Sequence, residues 1–296
     1  MTKRLSNPGS NALYQVELWG LKLVVALFRA LPLDPASAMM GWLWKKIAPL
    51  TYRHKRALGH LEMALPELEP ADREEILRGM WDNLGRVAVE TFHIPELLKQ
   101  PERLELVLDE GSQAVFDTHA PCLFVSLHCG NWELSVLPAV LNRFPMAGVY
   151  QALKNPGADQ LLRDMRGDLY PGGLFSKGPE TARKLMALAK NKSAYIAIMA
   201  DLKEKRGLDI TFFGQKATAT PVPATLARSG NLPIIVGRVS RLEGVRFRVE
   251  GRLLPVPQTA DRKADIQAAT QAYHDIFEQW IREDPKQWMW IHRKWA

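Results

Sequence analysis

The stretch VSLHCGNWELSVL, residues 125–137, crowds an imidazole, an amide and a carboxylate, those of His128, Asn131 and Glu133, into the junction between an apolar strand-like run and a helix-like one. A histidine with a carboxylate nearby can take the proton from a hydroxyl and stabilise the imidazolium that forms, which is the core of general-base catalysis. The same residues also describe ordinary architecture. Asn131 is a good helix N-cap, and Glu133 in a first helical turn is favoured by the N-terminal backbone N–H groups. Spacing does not separate the two readings. With 7 His and 32 acidic residues in 296 positions, about 0.8 HxxxxD/E matches arise by chance, and the chain has one.

A metal centre is the other chemistry that His and Cys suggest. His119, Cys122, His128 and Cys129 are neighbours in sequence, but their order, H-x2-C-x5-H-C, contains no tight ligand pair, and a strand over 122–127 separates the halves. At about 3.3 Å per residue that strand also holds the two cysteines roughly 20 Å apart, too far for a disulfide. Neither metal nor cofactor is expected, and reduced cysteines fit a cytoplasmic compartment.

The elements around this junction read as α/β. Apolar strand candidates at 104–108, 122–127, 146–151 and 194–199 alternate with helical stretches near 112–118, 132–142, 157–166 and 180–190, the signature of a largely parallel sheet flanked by helices. Further strands at 209–213, 232–240 and 245–250 extend that sheet, the last two as a hairpin through RLEG. An amphipathic helix occupies the region 69–92, and a final helix, 262–282, leads into the aromatic tail QWMWIHRKWA. In such sheets ligands bind at the carboxyl ends of the strands. His128 and Asp201 both follow apolar strands and so belong to one edge.

The formal charge of +7 calls for an anionic partner. Residues 35–61 carry Lys45, Lys46, Arg53, Lys55 and Arg56 without one acidic residue, directly after the apolar stretch 12–33. That adjacency favours a membrane surface over nucleic acid, for which no recognition module is present. Glu17, Lys22 and Arg29 interrupt the apolar stretch, which disfavours a spanning helix without deciding between spanning and lying in the membrane, and no small-residue cleavage site follows it. On a helical wheel Gln15, Lys22 and Arg29 fall on one stripe, leaving the rest apolar, as in a helix lying in the interface; a core helix with snorkelling cations is the other reading. The expected organisation is an N-terminal membrane-associating helix over 1–34 and a catalytic domain over 35–296.

HCGNWE resembles the HxGNWE block of the bacterial lipid A biosynthesis lauroyl/myristoyl acyltransferases, part of the wider glycerolipid acyltransferase group. Four more blocks agree in order. VYQALKNPGADQLLRDMRG matches at Asn155, Pro156 and Arg166, with Gln151 where Arg is usual. AIMADLKEKRGLDITFFGQKATAT matches at Asp201, Gly207, Phe212, Phe213, Gly214 and Thr218, with Leu202 in place of Gln. PVPATLARSGNLPIIVGRVSR resembles the following helix and strand, and DPKQWMWIHRKW the terminal block, with Lys294 replacing the second Arg. The resemblance implies a glycerolipid-acyltransferase-like α/β fold and transfer of a fatty acyl chain from acyl carrier protein to a hydroxyl of an anionic lipid A precursor, at the cytoplasmic face of the inner membrane. His128 would be the base and Glu133 its orienter, while Arg166, Asp201 and Asn131 would contact substrate. A different lipid acceptor on the same scaffold, or a non-catalytic membrane binder, are the alternatives.

Overall fold

The computed structural model describes residues 8–295, with side chains from residue 12; residues 1–7 of the expected N-terminal segment and Ala296 lie outside the described residues. The chain opens with five helices, α1 (Pro8–Arg29), α2 (Leu33–Ile47), α3 (Tyr52–Ala64), α4 (Pro70–Phe92) and the short α5 (Ile94–Leu97). Pro32, which has no N–H to donate, separates the first two. β1 (Leu104–Leu108), α6 (Glu110–Thr118), β2 (Cys122–Ser126), α7 (Leu137–Leu141), β3 (Ala147–Tyr150), α8 (Pro156–Arg166), β4 (Gly173–Ser176), α9 (Pro179–Lys190) and β5 (Tyr195–Met199) then alternate. β6 (Lys203–Phe212), β7 (Gln215–Ala219), α10 (Val222–Gly230), β8 (Ile234–Arg241), β9 (Phe247–Leu254) and α11 (Arg262–Glu283) follow.

Seven strands form one sheet in the order β1-β9-β8-β2-β5-β3-β4. Five of its six pairings are parallel, the exception being the β8–β9 hairpin. The largely parallel α/β fold expected from the alternation is therefore the one observed. β2 lies between β8 and β5, and all five of its residues are buried. Its unbroken apolar run is what a strand covered on both faces requires. Leu123 and Val125 point into a core shared with α9, α10, α11 and the aromatic tail, while Cys122 and Phe124 point into a second core under α5, α6 and α7.

Two local readings differ from the structure. The strand expected at 209–213 does not join the sheet: it is the end of β6, which pairs only with β7. The hairpin turn places both Phe213 (φ 54°) and Gly214 (φ 67°) in the left-handed region, the conformation of a two-residue type I′ turn. Phe213 is unusual there, and it is held by burial against Trp290 and Trp295. The helix expected over 132–142 is a 3₁₀ turn, Trp132–Val136, followed by α7 with Pro138 in its first turn.

α1 and α2 lie on the body. Tyr14, Leu18, Leu21, Val25 and Phe28 face inward at helical spacing, and Leu13, Val16, Trp19, Leu23 and Leu27 are exposed. α2 packs closely along α4, where a side chain on Gly85 would collide with the Met40 carbonyl and Trp44. No helix among the described residues is long and apolar enough to cross a membrane.

Candidate active site

The strand register builds the site. Ser126 at the end of β2 is level with Met199 at the end of β5, and Ala200 donates its N–H to the Ser126 carbonyl at 2.9 Å. Two residues further along each chain stand His128 and Asp201. Nδ1 of His128 lies 2.7 Å from Asp201 Oδ1, and its backbone N–H donates to Oδ2 at 3.0 Å. Trp288 of the tail donates its indole N–H to the same Oδ2 at 2.9 Å. A carboxylate only accepts, so Nδ1 carries the proton and Nε2 presents a lone pair. Burial pushes the Asp201 carboxyl up, but the attraction of the His128 ring when it is protonated and the hydrogen bonds from His128 and Trp288 outweigh it and hold the group well below the usual carboxylate range.

Glu133 is elsewhere. The expectation that it orients His128 is corrected by its own partners: Arg166 at the end of α8 grips both its oxygens, Nε donating to Oε2 at 2.7 Å and Nη2 to Oε1, and Trp132 donates to Oε1 at 3.2 Å. A guanidinium fork matches a carboxylate's two oxygens better than one imidazole N–H can. Arg166 is thus engaged with Glu133, and Asp201 is hydrogen-bonded to the His128 ring.

Asn131 is corrected as well. It is fully buried, makes no side-chain cap, and donates to Glu90 Oε2 at 2.8 Å. Glu90 also accepts the Arg241 fork at 2.6 and 2.8 Å and the Ser37 hydroxyl at 2.6 Å. Asn83 of α4 holds the Gly130 carbonyl at 2.9 Å. Gly130 has φ 55°, and a Cβ there would sit 2.1 Å from the Val239 carbonyl oxygen, so only glycine fits. Asn131 thus braces the His128 loop from within the protein.

The tail contributes what the sequence reading missed. Met289 donates its N–H to the His128 carbonyl at 3.1 Å, and the His292 ring lies 5.9 Å from that of His128. Burial, reinforced by His128, pushes His292 down to about 4, so it is neutral at ordinary pH. Trp288, Trp290 and Trp295 are all buried in one aromatic cluster with Phe212 and Phe213. The signal available was their sequence block, which marked the tail but not its contacts. Cys129, beside His128, is buried, with its thiol pushed up to about 12 by burial, and makes no ready nucleophile. On the α7 side of the sheet, close to the same strand tips, a small apolar cavity of about 40 Å³ is lined by Phe124, Ser126, Val149, Tyr170, Ala197 and Met199, among others.

The profile of the bacterial lipid A biosynthesis acyltransferases matches residues 9–296. The chain belongs to that family. This acyltransferase is 25% identical over 232 residues to the phosphatidylinositol mannoside acyltransferase of Mycolicibacterium smegmatis, an alignment that covers 76% of this chain and 74% of the relative. Among solved structures it is similar to the 1-acyl-sn-glycerophosphate (LPA) acyltransferase, PlsC, of Thermotoga maritima, with a TM-score of 0.36 and 14% identity over 80% of this chain and 99% of that one.

Proposed function

We propose that this acyltransferase moves a fatty acyl chain from the thioester of acyl carrier protein to a hydroxyl of a lipid A precursor, with His128 as general base and Asp201 as its orienter. The observation that carries the mechanism is the double hydrogen bond between His128 and Asp201, with Nε2 left as the acceptor. The acceptor hydroxyl gives its proton to Nε2 as its oxygen attacks the thioester carbonyl. The tetrahedral intermediate collapses with cleavage of the C–S bond, and the departing thiolate takes the proton back from the imidazolium. Asp201 stabilises the charged ring between these steps, as the third member of a hydrolase triad does. Arg166 suits an anionic group of the acceptor through the N–H donors that Glu133 leaves over.

The exposed apolar face of α1, with Trp42 and Trp44 of α2 and the basic run beyond, supports residues 1–34 as a monotopic attachment to the cytoplasmic face of the inner membrane. The positive charge supports docking of an acidic carrier protein. A second reading follows from the mycobacterial relative, whose name specifies a phosphatidylinositol mannoside: the same chemistry on another glycolipid. Purified protein on vesicles, given acyl carrier protein thioester and each acceptor in turn, decides by mass spectrometry of the lipids. An acylated lipid A precursor is the expected product. Acylation of the inositol mannoside alone would establish the second reading, and no product with any acceptor would remove both.

A further inference from the structure

A second opening lies between α3 and the β6–β7 hairpin. It is a cleft of about 400 Å³ whose lining includes Met63, Lys203, Lys216, Thr218, Lys294 and Trp295. Two of its residues come from the segments that build the catalytic site: Lys203 is two residues beyond Asp201, and Lys294 two beyond His292. Lys294 is 1% exposed. Its ammonium has no carboxylate within ion-pair distance among the described residues. It donates one N–H to His274 Nε2 at 3.0 Å and lies 5.2 Å from the centre of the Phe212 ring. His274 can accept that bond because its Nδ1 faces the Thr270 carbonyl at 2.8 Å, which fixes the neutral tautomer. Burial pushes the Lys294 amine down to about 8, opposed only in part by Asp201, and the His274 ring down to about 3.

A buried cation with spare donors and no acid partner is costly to keep unless something anionic completes it. The other polar groups of the cleft have the same character. Lys203 has no ion pair among the described residues, and the buried Thr218 hydroxyl has no hydrogen-bond partner. Lys216 at the rim is already held by Asp209 at 2.8 Å. We infer that the cleft is a binding site for a phosphate ester, taken by Lys294 from inside, Lys203 from the rim and the Thr218 hydroxyl between them. The inference rests on the acyl-transfer reading for its biological ligand, since both the phosphopantetheine arm of the donor and the lipid acceptor carry such a group.

Calorimetric titration of the full chain tests it without any turnover. One arm compares 4′-phosphopantetheine with pantetheine; the other compares a glycerophosphate-headed lysolipid with its dephosphorylated form. The wild type is expected to prefer the phosphorylated probe in one arm, which identifies the source. Lys294→Met and Lys203→Gln are each expected to cut that preference roughly tenfold or more, the weight of one hydrogen bond to a charged group. Lys203 is only half-buried, so its variant decides even where Lys294→Met fails to fold. No phosphate preference in either arm, or a preference unchanged in a folded Lys203→Gln protein, overturns the inference. Acyl transfer by the same wild-type preparation is measured separately: its absence removes the transfer reading and leaves the binding comparison standing.

Discussion

The two sides of the active site hold their charges in different ways. On the strand-tip side, Asp201 is sunk beneath His128 and receives three hydrogen bonds, so its charge serves one imidazole. On the helix side, Glu133 and Arg166 neutralise each other and tie the 3₁₀ turn to the end of α8. One carboxylate is 73 residues from the histidine it serves; the other, five residues from it, serves an arginine. Proximity along the chain is thus a poor guide to which acid works on which base. The register of neighbouring strands decides it.

The largest effect expected from that difference is on turnover. His128→Ala should lower kcat roughly 10²- to 10⁴-fold, the usual worth of a general base. Asp201→Asn should lower it by a comparable factor, and the double variant should be little worse than His128→Ala, because residues acting as a unit are not additive. Single-turnover acyl transfer by folded variants measures this. Near-normal transfer by His128→Ala would end the catalytic assignment.

Glu133→Gln should act on position more than on chemistry, lowering turnover roughly tenfold, equivalent to about 1.4 kcal/mol of barrier. The fold should lose stability by as much as about 3 kcal/mol, because the partly buried Arg166 is left without its carboxylate. In double-mutant cycles Glu133 should couple to Arg166 and be additive with His128. Strong coupling of Glu133 to His128 instead would mean that the carboxylate reaches the imidazole during turnover.

Acid should separate the two kinds of group in stability. His292 and His274 have folded pKa values of about 4 and about 3, below the unfolded value near 6.5, so the unfolded chain binds more protons in the interval between. Stability should therefore fall as pH drops from about 6.5 to 4, by up to about 1.4 kcal/mol per unit for each ring. Asp201, with its lowered pKa, retains its contribution over that interval and yields it only below about 3.9. Chemical denaturation across this range checks the sign, and a slope unchanged in His274→Asn would show that His274 is not responsible.

The smallest effect on chemistry is expected at the membrane-facing surface. Leu23→Glu with Leu27→Glu should weaken vesicle binding more than tenfold, since each exposed leucine offers roughly 1.5–3 kcal/mol of burial, while leaving detergent-assayed kcat unchanged. Point changes are cleaner than removing residues 1–34, because Leu33 already belongs to α2 and is buried. Unaltered pelleting with vesicles would sink the attachment.

The sheet was legible because alternation and apolar runs are local properties, and so was the placement of His128 and Asp201 at one edge. Their partnership was not, since the level of Ser126 with Met199 is set by packing across the whole sheet. Asn131 has an N-cap's composition, yet Glu90 from α4 and the 3₁₀ geometry of the turn took it away from that role. The β6–β7 hairpin left the sheet because its apolar residues Phe212 and Phe213 face the aromatic tail, a partner that no window around residue 210 contains.

The tail's grip on the site has a consequence for the order in which the protein is made. Trp288 and Met289 reach Asp201 and the His128 loop from the far end of the chain. A nascent polypeptide that has already delivered every strand of the sheet still lacks the indole donor that steadies the carboxylate. Synthesis therefore delivers the sheet before the donor that steadies the Asp201 carboxylate.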